Sequence, residues 1–454
     1  MKIESHVPGA GVSPRPFDVS HWDILRIAIP MMIAHISTPL VGLVATGVIG
    51  QLGDEVLIGG VALAAVIFDV IFLSFNFLRG ATTGFIAQAV GAADRRQEQI
   101  MLLGGIVLAL GAGLFILVLH IPIGTLGLTL LGADSAVAQA AQAYFDWRIW
   151  SAPFVFFNFV AFGWIIGRGE ALAALLLQTL LNGLNIALSF FLVLHLHWGV
   201  AGAAIASLIA EAVTALVGVV LILMRTDKKL WDWRAALMPV QLKRLFSVNR
   251  DMMIRSIALL AGISFFTRQS GMLGIEILAA NTILIRFYFI GVAFLDGIAT
   301  AAEQLAGRAV GAQWRPAFDR VIKLTTIWGF VFGALVSAVF ALIGFWVIAL
   351  IAPNQVIIDI SMIYLPYVVV LPLVGVIAFQ MDGVFIGATW SREMRNMMLL
   401  SLGLYLAAWA VLQPFFGNHG LWMAMLIFQG ARSVFFRRMM PRLASRTFMP
   451  QGSL

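Results

Sequence analysis

Asp382 is the one carboxylate in the stretch IAFQMDGVFIGATW (377–390), which follows the equally apolar YLPYVVVLPLVGV. A charge deep in a bilayer costs roughly 2.5–3.5 kcal/mol on insertion scales. A residue carrying that cost is paired, faces water, or takes up and releases a proton or a cation. Asp296, Thr300 and Glu303 follow one another at i, i+4 and i+7, so one helical face presents both carboxylates. Asn281 and Arg286 lie earlier on the same segment. All three acids fall in the cytoplasmic half of their predicted helices, which predicts convergence on one cavity. Carboxylates gathered in low dielectric can exchange protons near neutral pH. The alternative is a set of static ion pairs, such as Glu303 with Arg308.

The first half of the chain offers fewer such groups. Asp69 and Asn76 share a helical face, with Arg79 near the inner end. Gln139, Gln142 and Asp146 follow i, i+3, i+7 and are expected to face water. Glu211 and Arg432 occupy equivalent central places in the sixth and twelfth predicted helices, where structural roles are expected. Asp382, Asp296, Glu303 and Asp69 are therefore the candidate ion- or proton-coupling residues. Asn281, Arg286, Thr300, Asn76, Gln142 and Asp146 are the candidates for a substrate cavity.

The elements that must position these groups are membrane helices. The chain is 61% hydrophobic with mean hydropathy +0.97, and 11% of its residues are charged, against roughly a quarter in a soluble chain. With no cysteine, disulfides and thiolate metal sites are excluded. The net charge of +7 does not cluster on a soluble face, so no nucleic-acid partner is expected. The polar first twenty residues lack the layout of a cleaved signal, so the first apolar helix is expected to act as its own insertion signal. About 20 apolar residues cross the hydrocarbon core, and twelve such segments are predicted near 22–52, 56–88, 97–120, 135–167, 170–195, 199–224, 245–272, 276–308, 316–350, 356–388, 391–416 and 419–440. Pro30, Pro39, Pro153, Pro366 and Pro372 are the expected kink sites.

Lys and Arg set the orientation. The loops near 53–55, 121–134, 196–198, 273–275, 351–355 and 417–418 contain neither residue. The opposite side carries Arg95, Arg96, Arg168, the basic run 225–250, Arg315, Arg392, Arg395 and the C-terminal arginines. Both termini are thus expected in the cytoplasm of a cell whose inner membrane the chain spans several times. No phosphate-binding loop, H-E-x-x-H or G-x-S-x-G occurs, so neither ATP-driven nor hydrolytic chemistry is expected. His195 and His197 lack a third metal ligand. The chain is read as a non-enzyme without a cofactor, driven by a gradient of protons or sodium.

The chain repeats itself at an offset of about 220 residues. QLGDEVL (51–57) answers MLGIEIL (272–278), AVGA recurs at 89–92 and 309–312, GWIIG (163–167) answers GVFIG (383–387), and Gly199 answers Gly420. Six predicted helices separate each pair of matches, an even number, so both halves enter the membrane in the same sense, and substrate is expected between the halves. The implied organisation is a cytoplasmic tail (1–21), a first lobe (22–224), a basic linker (225–248) with Trp231 and Trp233 on the lipid surface, a second lobe (249–440) and a C-terminal tail (441–454).

Over most of its length the sequence resembles the multidrug and toxic compound extrusion (MATE) family, in its DinF-like branch. The resemblance is carried by IPMMIAHISTPLVGLVATGVIGQLG (29–53), FLRGATTGFIAQAVGA (77–92), NRDMMIRS (249–256), FLDGIATAAEQLAG (294–307), MDGVFIGATWSREMRN (381–396) and GNHGLW (417–422). It implies an all-α membrane protein with twelve transmembrane helices in two pseudo-symmetric six-helix lobes. It further implies a monomeric antiporter that exports organic cations or amphiphiles in exchange for H+ or Na+ by alternating access. Within the family the tenth-helix acid is associated with cation coupling, and Asp382 matches it; Asp296 and Glu303 match eighth-helix acids of this branch. One departure stands out. Relatives of this branch usually read V-D-T-A-V-I-G-H-L on helix one, with that Asp implicated in proton coupling, whereas residues 44–52 here read VATGVIGQL, with Ala45 in its place. Two other readings are a flippase for a lipid-linked precursor and a non-transporting membrane sensor or scaffold.

Overall fold

Lipid offers no hydrogen-bond partner to a peptide group, so an apolar chain closes its backbone bonds within each segment and becomes helical. The computed structural model describes residues 15–51, 53–131, 135–352 and 354–449 and shows helices with no strand among them. The elements are α1 (His21–Gly50), α2 (Glu55–Phe75), α3 (Phe77–Gly91), α4 (Arg95–Val118), α5 (His120–Leu131), α6 (Ser135–Arg148), α7 (Ala152–Gly167), α8 (Ala171–Ser189), α9 (Gly199–Arg225), α10 (Trp233–Ala236), α11 (Pro239–Leu273), α12 (Ile275–Gly311), α13 (Arg315–Ile351), α14 (Gln355–Gly387), α15 (Ser391–Phe416) and α16 (Asn418–Thr447). Among the described residues nine helical stretches are long and apolar enough to cross a membrane. The helices α1, α11 and α16 are the other long ones; Arg255, Arg268 and Arg432 interrupt the apolar runs of α11 and α16.

Several boundaries differ from the sequence-based expectation. The stretch expected as a loop near 121–134 is helical as far as Leu131. HIPIGTLGLTLL has no charged residue, and its glycines admit bulky neighbours: Gly124 lies against the ring of Phe145 and Gly127 against the Ile67 side chain. A helix of 12 residues is too short to span a bilayer. The helix α11 already starts at Pro239, so the second part of the expected linker is helical, and α16 continues to Thr447. Of the expected tails, residues 1–14 and 450–454 lie outside the described residues.

The internal repeat reappears in the backbone. The kinked span Glu55–Gly91 and the helix α12 are both 37 residues long. Ala93 and Gln313, each at φ 51°, end equivalent helices, as do Gly169 at φ 80° and Thr389 at φ 57°. A left-handed residue after the last turn is a common way to stop a helix, and three of these four positions do it without glycine.

The chain divides into two compact units, one made of residues 33–86 and 94–247, the other of residues up to 32, 87–93 and 248 onward. Within the first, Gly163 and Gly167 of α7 lie directly against the Arg79 and Thr83 carbonyls of α3, and Phe75 stacks on Phe156 at 4.5 Å. Within the second, Gly383 and Gly387 of α14 lie against the Ala299 and Glu303 carbonyls of α12. Phe266, Leu284, Tyr405, Trp422 and Phe428 fill its core. The same Gly-x-x-x-Gly device thus joins equivalent helices in both units, because only a missing Cβ lets two backbones approach so closely.

Candidate functional site: a buried ion pair in the second unit

The placement of Asp382 follows from its neighbours in sequence. The helix α14 begins at the Asn354 cap, whose side chain accepts from the Ile357 N–H at 3.0 Å, and contains Pro366 and Pro372. Gly383 and Gly387 then hold its last turns against α12. Asp382, one residue before Gly383, is carried into this packed region and is 4% exposed.

Two arginines meet it there. Its Oδ2 accepts from Arg432 Nη2 of α16 at 2.6 Å and from Arg255 Nη2 of α11. Arg432 is wholly buried; its Nη1 donates to Gln429 Oε1 at 2.5 Å, and Gln429 Nε2 donates to the Tyr288 hydroxyl at 2.6 Å. The Arg432 guanidinium also stacks near Phe379 and Phe428, with its carbon 5.1 and 5.8 Å from the ring centroids. Arg255 is partly open, with 17% of its side chain accessible. Among the described residues Asp382 Oδ1 has no protein hydrogen-bond partner.

Two full charges facing one carboxylate at this depth are stable only as a set. Removing one member of a buried pair costs about 3–5 kcal/mol because the partner is left charged in low dielectric. Loss of the Asp382 charge would likewise leave both guanidinium groups unbalanced.

The hydrogen-bonded partners of Asp382 are cations, Arg255 and Arg432, which the sequence had not paired with it. Asp296 is half-buried on α12 and lies within electrostatic reach of Tyr288, as do Arg432 and Asp382, so it borders the cluster. Glu303 is 4% exposed, with its main-chain carbonyl packed on Gly387. The Thr300 hydroxyl donates to the Asp296 carbonyl at 2.8 Å and is turned back on its own helix.

Asn281 is not an open cavity residue. Its Nδ2 donates to Ser270 Oγ and Asn418 Oδ1, both at 2.7 Å, while its Oδ1 accepts from Asn418 Nδ2 at 3.1 Å and Trp422 Nε1 at 2.9 Å. That is the full bonding capacity of an amide, so it ties α12 to α11 and α16. Arg286 is exposed and makes no ion pair among the described residues.

The candidates of the first unit do not assemble. Asp69 is exposed on α2 and feels the charge of Arg148. Asn76 interrupts the helix between α2 and α3, and its Oδ1 is 3.4 Å from Arg79 Nε. Gln142 and Asp146 bond each other at 2.6 Å on an exposed face. Glu211, the repeat mate of Arg432, accepts from Asn158 Nδ2 at 2.7 Å and lies 3.9 Å from Arg148. The two halves thus carry opposite charge at the same position.

Arg255 is not among the sequence-derived candidates; it lies five residues beyond the basic run 225–250. The available signal was its position inside the apolar part of α11, where an arginine needs a carboxylate partner. No group of three or more His, Cys, Asp or Glu side chains suited to a metal ion occurs among the described residues.

Comparison with known proteins agrees with this architecture. The MatE family model matches residues 30–191 and 252–410. DNA damage-inducible protein F of Escherichia coli is 37% identical over 413 residues, which is 90% of this chain and 89% of that protein. The multidrug export protein MepA of Staphylococcus aureus is 21% identical over 408 residues, 89% of this chain and 90% of that one. Among solved structures, an outward-facing multidrug resistance MATE family transporter of the MOP superfamily superposes with TM-score 0.85 at 21% identity, covering 94% of this chain and 96% of that one. A MOP superfamily transporter from Pyrococcus furiosus, whose binding pocket is described as of reverse polarity, superposes with TM-score 0.85 at 22% identity over the same shares. These structural matches show the shared fold, twelve helices in two lobes.

Proposed function

The chain belongs to the MatE family of membrane transporters, and on that premise we propose that it exports organic cations or amphiphiles in exchange for protons, with Asp382 as the coupling group. The carrying observation is the sharing of Asp382 Oδ2 between Arg255 and Arg432. A sodium ion is held by several oxygens at once, and here one carboxylate oxygen already faces two guanidinium groups. A proton needs only one oxygen, and Oδ1 has no other protein partner among the described residues. Protonation of Asp382 frees both arginines, and their repulsion favours a different packing of α11, α14 and α16. Export follows if the protonated and unprotonated packings expose the substrate site to opposite sides.

Two features favour this second-unit coupling. Ala45 offers no titratable group on α1, and Asp69 stands on the exposed side of α2. A flippase for lipid-linked anions would use intramembrane cations of the first half, of which there are two, Arg79 and Arg148; Arg148 is directed to Glu211, Ser151 and the rings of Phe68 and Phe72. The distribution of Lys and Arg supports an inner-membrane protein with both termini in the cytoplasm.

Dye export from proteoliposomes under an imposed pH or sodium gradient tests the reading. The wild type is expected to respond to the pH gradient alone, and Asp382→Asn to insert normally but transport nothing. Export driven by sodium at uniform pH, or full export by Asp382→Asn, would overturn it.

A further inference from the structure

The segment joining α9 to α11 makes a recess of its own. Arg96, Lys229, Trp231, Asp232, Trp233 and Arg234 line a cavity of ≈ 420 Å³. The recess is held in shape by several bonds. Arg96 Nη2 bonds Asp232 Oδ2 at 2.6 Å, and Asp232 Oδ1 accepts from the Ala235 N–H at 2.9 Å. The side-chain amide of Gln99 on α4, with its oxygen and nitrogen assigned by their partners, meets the Asp227 carbonyl at 2.8 Å and its N–H at 3.2 Å. Ala236, just beyond the recess, is fully buried. Three cations face one carboxylate, and Arg96 already engages that carboxylate. Lys229 and Arg234 make no ion pair among the described residues.

Trp231 also ends a second cavity of ≈ 530 Å³, bounded by Leu110 of α4, Pro153 and Phe157 of α7, and Leu216 and Val219 of α9. This groove is apolar along its length. It runs along three helices that belong to membrane-spanning stretches, and Leu110, Leu216 and Val219 are exposed at its rim.

We propose that the two recesses form one binding site for an anionic phospholipid of the bilayer. The phosphate lies beside Lys229 and Arg234, the indoles of Trp231 and Trp233 sit at the polar–apolar boundary, and one acyl chain fills the groove. Three independent features select this occupant. Indoles prefer the membrane interface. Basic side chains at the surface attract anionic lipids. The basic and apolar recesses meet at a shared residue, in the order of a lipid's own headgroup and chain. A free phosphate would use only the first recess and a neutral lipid only the second. Such a lipid would link α4, α7 and α9 to the segment that connects the two halves of the chain.

Native mass spectrometry of delipidated protein, titrated separately with phosphatidylglycerol, phosphatidylcholine and glycerol phosphate, tests this. Phosphatidylglycerol is expected to bind most tightly. Lys229→Gln and Arg234→Gln should each weaken it about fivefold relative to phosphatidylcholine. Ala215→Phe, which fills the groove, should weaken both lipids. Thermal unfolding without lipid shows that each variant is folded; Ala212→Phe, at the same groove wall, replaces Ala215→Phe if that one is not. Equal binding of both lipids, competition by glycerol phosphate as strong as by phosphatidylglycerol, or unchanged lipid binding in the groove-filled variant would overturn the proposal.

Discussion

Arg432 and Asp382 lie 50 residues apart in sequence and meet at 2.6 Å, both nearly inaccessible. Arg255 completes the set from a third helix, but from a more open position. The two arginines should therefore differ in what they contribute. Arg432→Gln is expected to lower stability by about 3–5 kcal/mol, because it leaves Asp382 half-balanced and disturbs the Gln429–Tyr288 chain. Arg255→Gln should cost clearly less, since its partial exposure allows water to screen the loss. Thermal or denaturant unfolding in detergent gives the order; equal or inverted losses would mean that Arg432 is not the main counter-charge.

Asn281→Ala should destabilise the second unit by about 1–3 kcal/mol. It removes four hydrogen bonds and leaves Asn418, Trp422 and Ser270 with unmet groups in a buried setting. Substrate affinity of the folded fraction should not move. An altered apparent KM for a cationic dye at unchanged stability would restore Asn281 to the substrate cavity.

Gly387 and Gly403 should respond oppositely to alanine. A Cβ on Gly387 runs into the Glu303 carbonyl of α12, whereas one on Gly403 of α15 meets nothing within 4 Å. Gly403→Ala should therefore stabilise by about 0.5–1 kcal/mol through helix propensity. Gly387→Ala should push α14 from α12 and lower both the unfolding temperature and export. A neutral Gly387→Ala would show that the two helices have room to spare.

The Arg96–Asp232 tether has a defined pH response. The Ala235 N–H first, and Arg96 with it, hold the Asp232 carboxyl below its ordinary 3.8. A depressed carboxylate stabilises the fold above its unfolded value, and that contribution is lost as pH falls through the folded one. The tether should hold at neutral pH and open only below about 3.8. The chain has no native cysteine, so a single spin label at Leu237→Cys should stay immobile until that range. In Asp232→Asn it should be mobile already at neutral pH and match the wild type only where the wild-type carboxyl is protonated; equal mobility of the two at neutral pH would remove the tether.

The absence of native cysteine also makes orientation directly measurable. Single cysteines at Asp94 and Gln313, at equivalent turns of the two halves, should react with an impermeant thiol reagent only from the cytoplasmic side. Reaction of either from outside would reverse the assigned topology.

The sequence by itself determined the class, the helices and the repeat. These follow from hydropathy, from the spacing of apolar runs and from paired anchors such as Gly163 with Gly383, because helix formation in lipid depends on hydrogen bonds a few residues apart. It also marked Asp382, since a lone acid in an apolar run is costly wherever the chain places it. Tertiary structure decided which groups answer that acid. Helical periodicity assigns residues to a face of their own helix, but it does not say which face of which other helix lies opposite. Asp296 and Glu303 share a face with each other, whereas Arg255 and Arg432 reach Asp382 from α11 and α16, helices distant from it in sequence. Asn281 shows the same division: its polarity was legible, but its four partners come from helices distant in sequence, and their geometry made it a tie between helices instead of a lining residue.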